Sequence, residues 1–201
     1  MFYRPEDGHT LPHDPFKAIV SPRPIGWIST RDAQGNNNLA PYSFFNAIAD
    51  NPPQVMFAST GVKPDRDGTK DSVSNIIETG EFCVNIAEYS AREAMNDTSK
   101  AWAREDDEFA KEAIEAGECE TINCQRVLNA PASLECKLTR VIELPGPSNR
   151  LVLGQVTGIH LRDNCLVDGR FDVTTYQPLS RLGYMDFAKV SELFVMKRPG
   201  D

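Results

Sequence analysis

The chain has 201 residues, of which 40% are hydrophobic and 25% are charged, a composition typical of a soluble globular protein with one large core. Its formal net charge of −8 argues against non-specific binding to nucleic acid or to an anionic membrane. No apolar run approaches the roughly 18 residues of a membrane span, and the polar N-terminus lacks the apolar stretch of a signal peptide. Five irregularly spaced cysteines predict free thiols, and therefore a cytoplasmic protein.

The polar, proline-rich residues 1–15 predict an extended arm that packs over the surface or on a neighbouring subunit. His9 and His13 lie four residues apart in this arm, a spacing that binds metal when it falls on a helix. Glycine and proline within the arm argue against a helix, so no metal site is predicted. Residues 16–21 predict a short strand or lead-in to the segment that follows.

Residues 22–60 predict three strands in a meander, at 25–30, 38–48 and 54–60, separated by turn-forming residues. Pro41 suits an edge position or a bulge better than a fully paired strand. Polar side chains stand at the strand ends among large aromatic ones, and the dense proline and glycine leave backbone groups available to a ligand. The meander is therefore the candidate functional region.

The next segment predicts a loop at 61–68 and a helix that begins at Asp71 or Ser72 and stops at Gly80. Lys70 stands directly before the positive end of this helix dipole, a combination that favours a phosphate group. Because lysines also precede helices on ordinary surfaces, the spacing alone leaves phosphate binding as one of two interpretations.

The remaining elements follow from hydrophobic periodicity. They are a strand at Glu81–Ile86, helices at 90–99 and 105–116, long strands at 132–144 and Arg150–Leu161, and a final strand or docking segment at 193–196. Two adjacent long strands joined by a short turn suit the wall of a barrel. The run REDDE at 104–108 places acidic residues in the first turn of the second of these helices and predicts a solvated face there.

Residues 23–57 read RPIGWISTRDAQGNNNLAPYSFFNAIADNPPQVMF, and the later pieces KDS at 70–72, ETGEFCVN at 78–85, GQV at 154–156 and PLSRLG at 178–183 follow in order. Over about residues 16–187 this pattern resembles the flavin reductase-like, FMN-binding split-barrel family. The resemblance implies a mostly β fold with flanking helices: a split β-barrel of Greek-key type with several short α-helices. It also implies one FMN-binding domain over 1–201, with the arm 1–15 and a C-terminal tail at 188–201.

FMN needs cations and amides for its phosphate, donors for the polar edge of its ring, and an apolar wall. The resemblance implies that Lys70 pairs the phosphate at the helix start, that hydroxyls stand at strand ends, and that the segment before Phe44 meets the ring. The candidate cofactor-binding residues are Arg23, Trp27, Ser29, Thr30, Asn38, Ala40, Tyr42, Ser43, Phe44, Ser59, Thr60, Lys70, Asp71, Ser72 and Tyr184.

The aromatic assignments and the catalytic candidate both have ordinary alternatives. From the residues alone, packing in a core or an interface explains Trp27, Tyr42, Phe44 and Phe45 better than a flavin wall does. His160 ends a GxVxxxH pattern and is the candidate catalytic residue, since imidazole can donate a proton or hydrogen bond near neutral pH. A histidine at a strand end is also often only a satisfied or exposed side chain.

The resemblance implies a homodimeric flavoprotein that reduces flavin with NADH or NADPH and supplies a monooxygenase or another electron acceptor. An FMN-binding electron-transfer protein without its own nicotinamide oxidation, and a split-barrel protein for another small ligand, remain alternatives. The sequence lacks GxGxxG, GxxxxGK[ST] and GxSxG, which argues against a Rossmann dehydrogenase, a P-loop NTPase and an α/β-hydrolase. No clamp for an NADPH 2′-phosphate is identifiable, and Arg162, Arg170 and Arg181 all stay open.

Overall fold

The structure is a computed structural model that describes residues 1–62 and 68–200. Within these ranges the strands are β1 (Arg23–Pro24), β2 (Gly26–Arg31), β3 (Asn37–Tyr42), β4 (Phe45–Asp50), β5 (Pro53–Ser59), β6 (Glu81–Ile86), β7 (Ala116–Glu118), β8 (Gln125–Val127), β9 (Ala132–Glu143), β10 (Arg150–Leu161), β11 (Leu166–Val167), β12 (Arg170–Phe171), β13 (Leu179–Arg181) and β14 (Phe187–Lys189). The α-helices are α1 (Phe16–Ile19), α2 (Asp71–Thr79), α3 (Arg92–Asp97) and α4 (Glu108–Lys111), and single 3-10 turns occur at Pro5–Asp7, Tyr89–Ala91 and Asp163–Cys165. The mostly β fold with several short helices is confirmed.

The principal sheet has seven antiparallel strands in the order β3-β2-β6-β9-β10-β5-β4. Its two edge strands, β3 and β4, follow one another in sequence with only Ser43 and Phe44 between them. The Cα atoms of Tyr42 and Phe45 are therefore at most about 11 Å apart, because each peptide unit spans 3.8 Å. The sheet must curl until its edges approach, which makes a barrel that is split between β3 and β4.

The meander prediction is correct for the two hairpins and wrong for their junction. The single strand expected over 38–48 is two strands, which do not pair with each other but form opposite edges of the sheet. Pro41 lies on the edge strand β3, as its missing N–H requires. The break at Ser43 and Phe44 leaves the backbone at the split outside the ladder.

The barrel interior is filled by apolar side chains from both hairpins, β6, β9, β10 and one face of α2. This core consists of Ile28, Tyr42, Phe45, Val55, Phe57, Val73, Ile76, Phe82, Val84, Cys136, Val152 and Val156. A Cβ atom on Gly154 would lie 2.3 Å from Phe82 Cζ, so only glycine fits there, and the register of β9 and β10 shifts next to it. Gly154 therefore marks a close approach between β10 and β6.

A second core covers the outer face of β2. It contains Ile25, Trp27, Leu39, Ala87, Met95, Phe109, Val127, Ala130 and Leu179, and α3 and α4 contribute to it. Trp27 faces this core whereas the next residue, Ile28, faces the barrel interior. Strand β2 is therefore buried on both sides, and nearly all of its residues are buried.

A small sheet of β1, β13 and β14 brings the C-terminal region to the N-terminal segment. In it Arg23 pairs with Arg181. A Cβ atom on Gly183 would lie 2.4 Å from Ala18 Cβ, so the turn after β13 packs directly on α1. The predicted tail begins inside β14, and residues 190–200 form no helix or strand.

Several predicted elements have the expected bounds. Strands β6 and β10 match their predictions residue for residue. Helix α2 ends before Gly80, which adopts the left-handed conformation with φ 76° and donates its N–H to Ile76 O. This is the helix termination that glycine favours.

Other elements differ from their predictions. Residues 16–21 contain helix α1 instead of a strand, because Asp14 Oδ1 accepts the Phe16 N–H at 2.9 Å and starts a turn. The helix expected over 105–116 is only α4, which ends where Ala113 turns to φ 52°. Glu108, expected on a solvated face, is buried and accepts the Leu39 N–H at 3.0 Å.

Of the two alternatives for residues 193–196, the strand is wrong, since these residues are irregular and exposed, and the docking segment stays a prediction. The loop prediction for 61–68 falls mostly on residues 63–67, outside the described part of the chain. All five cysteines are free, as predicted. Among the described residues, no helix has the length and apolar character needed to span a membrane.

Candidate functional site

A cavity of about 650 Å³ opens at the split of the barrel, where β3 passes into β4. Tyr42, Ser43 and Phe44 line it from the split, and Thr60 and Lys70 line it from the segments after β5 and before α2. A smaller cavity of about 240 Å³ shares Tyr42 and Lys70 with it and extends along the start of α2. The larger volume lies within the range of about 300–1,000 Å³ that is typical of cofactor sites.

Most of the predicted cofactor-binding residues meet at these two cavities. The larger one is lined by Arg23, Tyr42, Ser43, Phe44, Thr60, Lys70 and Tyr184, and the smaller one adds Asn38, Ala40, Asp71 and Ser72. These residues come from β1, from β3 and the split, from both ends of the 60–70 segment, and from the turn after β13. The fold therefore brings together residues that are more than 150 positions apart in sequence.

Lys70 is the cation at the start of α2. Its Nζ lies 5.9 Å from the centroid of the Tyr42 ring. Burial, and to a smaller extent the ammonium of Lys17, lower the pKa of Lys70. Both therefore disfavour the protonated form of its side chain. An anion bound beside Lys70 would offset both effects, and the dipole of the nine-residue helix acts in the same direction.

A buried network of polar side chains fixes the start of α2 against the barrel. Asn38 Nδ2 donates to Ser72 Oγ at 2.8 Å. The Tyr42 hydroxyl hydrogen-bonds to the side chains of Ser72 and Ser59, while burial raises the pKa of this phenol. Ser59 lies in neither cavity, so its contribution is to hold Tyr42 and the helix in place.

Arg23 is buried and anchors the N-terminal segment to the turn after β13. Its Nη1 donates to the carbonyls of Lys17 and Val20, and its Nη2 donates to Leu182 O at 2.7 Å. The guanidinium carbon stands 5.7 Å from the centroid of the Phe44 ring, and the buried Nε has no hydrogen-bond partner among the described residues. Arg23 therefore positions backbone around the cavity and keeps one donor available.

Two aromatic side chains, those of Phe44 and Tyr184, form part of the cavity wall. Phe44 is half-buried, and its carbonyl accepts the Ala58 N–H at 2.7 Å, which holds the split residue against β5. Tyr184 adopts a positive φ of 55°, and its ring packs edge-on against His13 with centroids 5.6 Å apart. The cavity thus combines cations with flat apolar surfaces.

Besides Ser59, three predicted cofactor-binding residues lie outside both cavities. Trp27 is in the outer core, where its indole N–H donates to Thr98 Oγ1 at 2.9 Å. Ser29 and Thr30 are buried and accept hydrogen bonds from Asn85 and Asn75. These side chains have protein partners in place of a ligand.

His160 also lies away from the cavities. It is ten residues along β10 from Arg150, which pairs with Ser59 near the split. Its Nε2 lies 2.5 Å from Oε1 of the fully buried Glu135, which also accepts hydrogen bonds from the Thr121 N–H and hydroxyl. Burial acts to raise the pKa of Glu135, but the hydrogen bonds from Thr121, Glu120 and His160 outweigh it and lower the pKa to about 2.

The catalytic role of His160 stays a prediction, and its position within one subunit favours a structural role. We expect His160→Ala to lower the melting temperature and to leave the rate of flavin reduction within about twofold, because the hydrogen bond to the buried Glu135 is lost and no residue that lines the two cavities changes. Thermal unfolding and single-turnover kinetics on the same preparation measure both effects. A rate that falls at least tenfold with intact FMN affinity would instead support catalysis.

The structure adds residues that sequence reasoning did not assign to the site. His13, Asp14 and Lys17 from the N-terminal segment line the larger cavity, as do Asn96 and Ser99 from the region of α3. No periodicity or motif places these segments over the split, and for the N-terminal segment the contact depends on the long-range hydrogen bonds of Arg23. The arm's proline-rich composition was the one available signal.

The residues present fit an FMN-sized ligand. Lys70 with the start of α2 suits a phosphate, the unpaired buried Arg23 Nε offers a donor, and Phe44 offers an apolar wall. Among the described residues, no cluster of three or more His, Cys, Asp or Glu side chains is placed to hold a metal ion.

A family model described as "Flavin reductase like domain" matches residues 20–178. The structure is similar to that of nitrilotriacetate monooxygenase component B from Bacillus cereus, with 30% identity, a TM-score of 0.87 and 98% of each chain covered. It is also similar to 2-nitrobenzoate 2-nitroreductase from Pseudomonas fluorescens, with 27% identity, a TM-score of 0.80, and 92% of this chain and 89% of that one covered.

Flavoredoxin of Desulfovibrio vulgaris shares the fold at 18% identity, with a TM-score of 0.76 and with 88% of this chain and 91% of that chain covered. The family model covers well over half of the residues, and the agreement in fold extends over nearly the whole chain. By sequence and by structure, the chain belongs to the flavin reductase-like family of FMN-binding split-barrel proteins, which includes the flavoredoxins.

Proposed function

We propose that the chain binds FMN in the cavity at the barrel split and reduces it with NADH or NADPH. The observation that carries the proposal is the arrangement of Lys70, at the positive end of α2, beside the aromatic residues Tyr42 and Phe44 of the split. A phosphate cation and a flat apolar wall in one cavity are the two features that a flavin nucleotide requires.

In this proposal the protein binds and orients, and the cofactor carries the redox chemistry. FMN supplies a ring that accepts a hydride from reduced nicotinamide. Lys70 pairs the phosphate, Thr60 offers a hydroxyl near it, and Ser43 at the split presents backbone to the polar edge of the ring. Tyr42 keeps the helix start and the split in register through its hydroxyl network.

The acceptor that fits best is a partner enzyme. Nitrilotriacetate monooxygenase component B, by its name, is one component of a monooxygenase system, and it matches this chain over 98% of both. We therefore place the chain as a component that supplies reduced flavin or electrons to a monooxygenase, in the cytoplasmic compartment expected from its free thiols.

We also propose that the functional unit is a homodimer. The barrel wall exposes apolar side chains, including Ile48, Ile159 and Leu161, each with 44–57% of its surface accessible. Exposed apolar surface of this kind is typical of a protein–protein interface. The cavity itself is open at the split, so a second subunit would shield it from solvent. Sedimentation equilibrium tests this, and a monomer at micromolar concentration would contradict it.

Phe44→Ala tests the ring-binding part of the proposal. Removing the aromatic wall should weaken FMN and riboflavin by about the same factor, about threefold to tenfold, because the flavin ring is common to both. Quenching of flavin fluorescence measures both dissociation constants. Phe45→Ala, at a buried core position outside the cavities, is the matched control for a general loss of packing.

If Phe44→Ala kept its flavin affinity and melted at a lower temperature, Phe44 would be a core-packing residue and not part of the flavin site.

A protein that binds FMN, accepts electrons from dithionite and oxidises neither nicotinamide would favour the electron-transfer alternative. A protein that takes up no FMN would leave a split barrel for another ligand.

A further inference from the structure

The mouth of the larger cavity holds more positive charge than one bound phosphate group requires. Among the described residues that line it, Lys17, Arg23, Lys70 and Arg181 face a single carboxylate, that of Asp14. The chain as a whole carries a net charge of −8, so this concentration runs against the overall balance. Charge of one sign gathered in a cleft attracts a ligand of the opposite sign.

Two of these four cations already have roles. Lys70 is assigned to the FMN phosphate by the proposed function. Arg23 directs its guanidinium nitrogens to the backbone carbonyls of Lys17, Val20 and Leu182. The remaining two, Lys17 and Arg181, lie at the mouth of the cavity and are called the rim cations below. Lys17 stands close enough to Lys70 to lower the pKa of Lys70.

The fold holds Lys17 and Arg181 on the same side of the cavity. Arg23 ties helix α1, which carries Lys17, to the turn that follows Arg181. Gly183 allows that turn to touch α1, since any Cβ there would lie 2.4 Å from Ala18 Cβ. The pairing of Arg23 with Arg181 across β1 and β13 completes the connection. The two rim cations are therefore placed by long-range structure.

Arg181 is also held beside the aromatic wall. Its guanidinium carbon lies 4.3 Å from the centroid of the Phe187 ring, and its Nη2 donates to Tyr184 O at 2.5 Å. The Tyr184 ring in turn packs on His13. A molecule that stacks in the open part of the cavity would thus bring its own anionic groups within reach of this rim.

Resting on the proposed function, we propose that Lys17 and Arg181 form an anion subsite that binds a phosphate of the nicotinamide dinucleotide donor, with His13 beside it. A guanidinium matches phosphate oxygens with two parallel hydrogen bonds, and an ammonium adds a mobile point charge. The other arginines left open by the sequence fit less well. Arg162 is paired with Glu88 at 2.7 Å, and Arg170 lies on the separate hairpin of β11 and β12.

The test uses FMN-loaded protein and the oxidised dinucleotides NADP⁺ and NAD⁺, which bind without turnover. Isothermal titration calorimetry compares wild type, Lys17→Ala and Arg181→Gln, with Lys137→Ala as a control at an exposed lysine on β9. Each rim variant should raise the dissociation constant of a dinucleotide about tenfold and leave that of FMN within about twofold. Lys17→Arg should bind the dinucleotides as the wild type does, since it keeps the positive charge.

The two dinucleotides identify which phosphate is bound. Weaker binding of NADP⁺ alone assigns the 2′-phosphate to the subsite, and equal weakening of both assigns the pyrophosphate. Unchanged dinucleotide binding in both rim variants would overturn the subsite, as would a loss of FMN affinity in place of dinucleotide affinity. Wild-type protein that fails to retain FMN contradicts the proposed function instead, and this is seen in the loading step before any dinucleotide is added.

Discussion

Glu135→Gln is expected to lower the free energy of unfolding by about 3 kcal/mol at pH 7. The carboxylate is fully buried and accepts hydrogen bonds from Glu120 N at 2.8 Å, from Thr121 N and Oγ1 at 2.6 Å each, and from His160 at 2.5 Å. Together these hydrogen bonds lower its pKa from 4.5 to about 2, a shift equivalent to about 3 kcal/mol. The glutamine amide has the same size but no charge, and its NH2 group would face the N–H and O–H donors that now bind the carboxylate.

The same carboxylate makes a specific contribution to the pH dependence of stability. Because the pKa of Glu135 is lower in the folded chain than in the unfolded one, its stabilisation is complete above pH 4.5 and is lost as the pH falls toward 2. The difference in unfolding free energy between wild type and Glu135→Gln should therefore shrink on acidification. Urea titrations at pH 7, 4.5 and 3 measure it.

Glu143→Gln is the matched control, since Glu143 lies on the same strand with 82% of its side chain exposed. Its effect should stay below about 0.5 kcal/mol. If Glu135→Gln changed the unfolding free energy by no more than this limit at pH 7, the network around Glu135 would contribute no net stability. A difference that does not change with pH would assign the loss to packing.

Lys70→Ala is expected to weaken FMN binding by about 1–3 kcal/mol, which corresponds to roughly a 5- to 150-fold higher dissociation constant. The charge-assisted contact with the phosphate is lost, while the aromatic wall is untouched. Riboflavin has the same ring and no phosphate, so its affinity should not change. Fluorescence titrations of both flavins against wild type and Lys70→Ala give the comparison.

The folded protein should tolerate this substitution well. Burial and Lys17 both disfavour the Lys70 charge in the absence of an anion, so removing it relieves an unfavourable interaction. A melting temperature equal to or above that of wild type is expected without ligand. Equal weakening of FMN and riboflavin would show that Lys70 acts through the shape of the cavity, and unchanged FMN affinity would remove it from the site.

The contrast between well and poorly predicted elements has a physical cause. Strands β6 and β10 were predicted with correct bounds because their alternation of inward and outward residues is a local property. Helix α2 was predicted because Gly80 ends it through its own backbone conformation. The helix expected over 105–116 is shorter than predicted because Ala113 leaves the helical conformation and Ala116 pairs with Val127 in the hairpin of β7 and β8, a contact that local periodicity does not reveal.

The site divides in the same way. Lys70, Tyr42 and Phe44 were assigned through the family resemblance, and the structure places them on one cavity. Trp27 was assigned with them, but its direction depends on which face of β2 each core covers, and it faces the outer core. Lys17 was missed because its place at the rim depends on Arg23, whose hydrogen bonds to distant carbonyls leave no local pattern.

The most direct test of the account is anaerobic mixing of the FMN-loaded protein with NADH and, separately, with NADPH, followed by the visible absorbance of the flavin. We expect the flavin bands to bleach with at least one nucleotide at a rate that saturates with its concentration, since hydride transfer requires a bound donor. Flavin that stays bound and oxidised with both nucleotides, yet is reduced by dithionite, would contradict the reductase and leave an electron carrier.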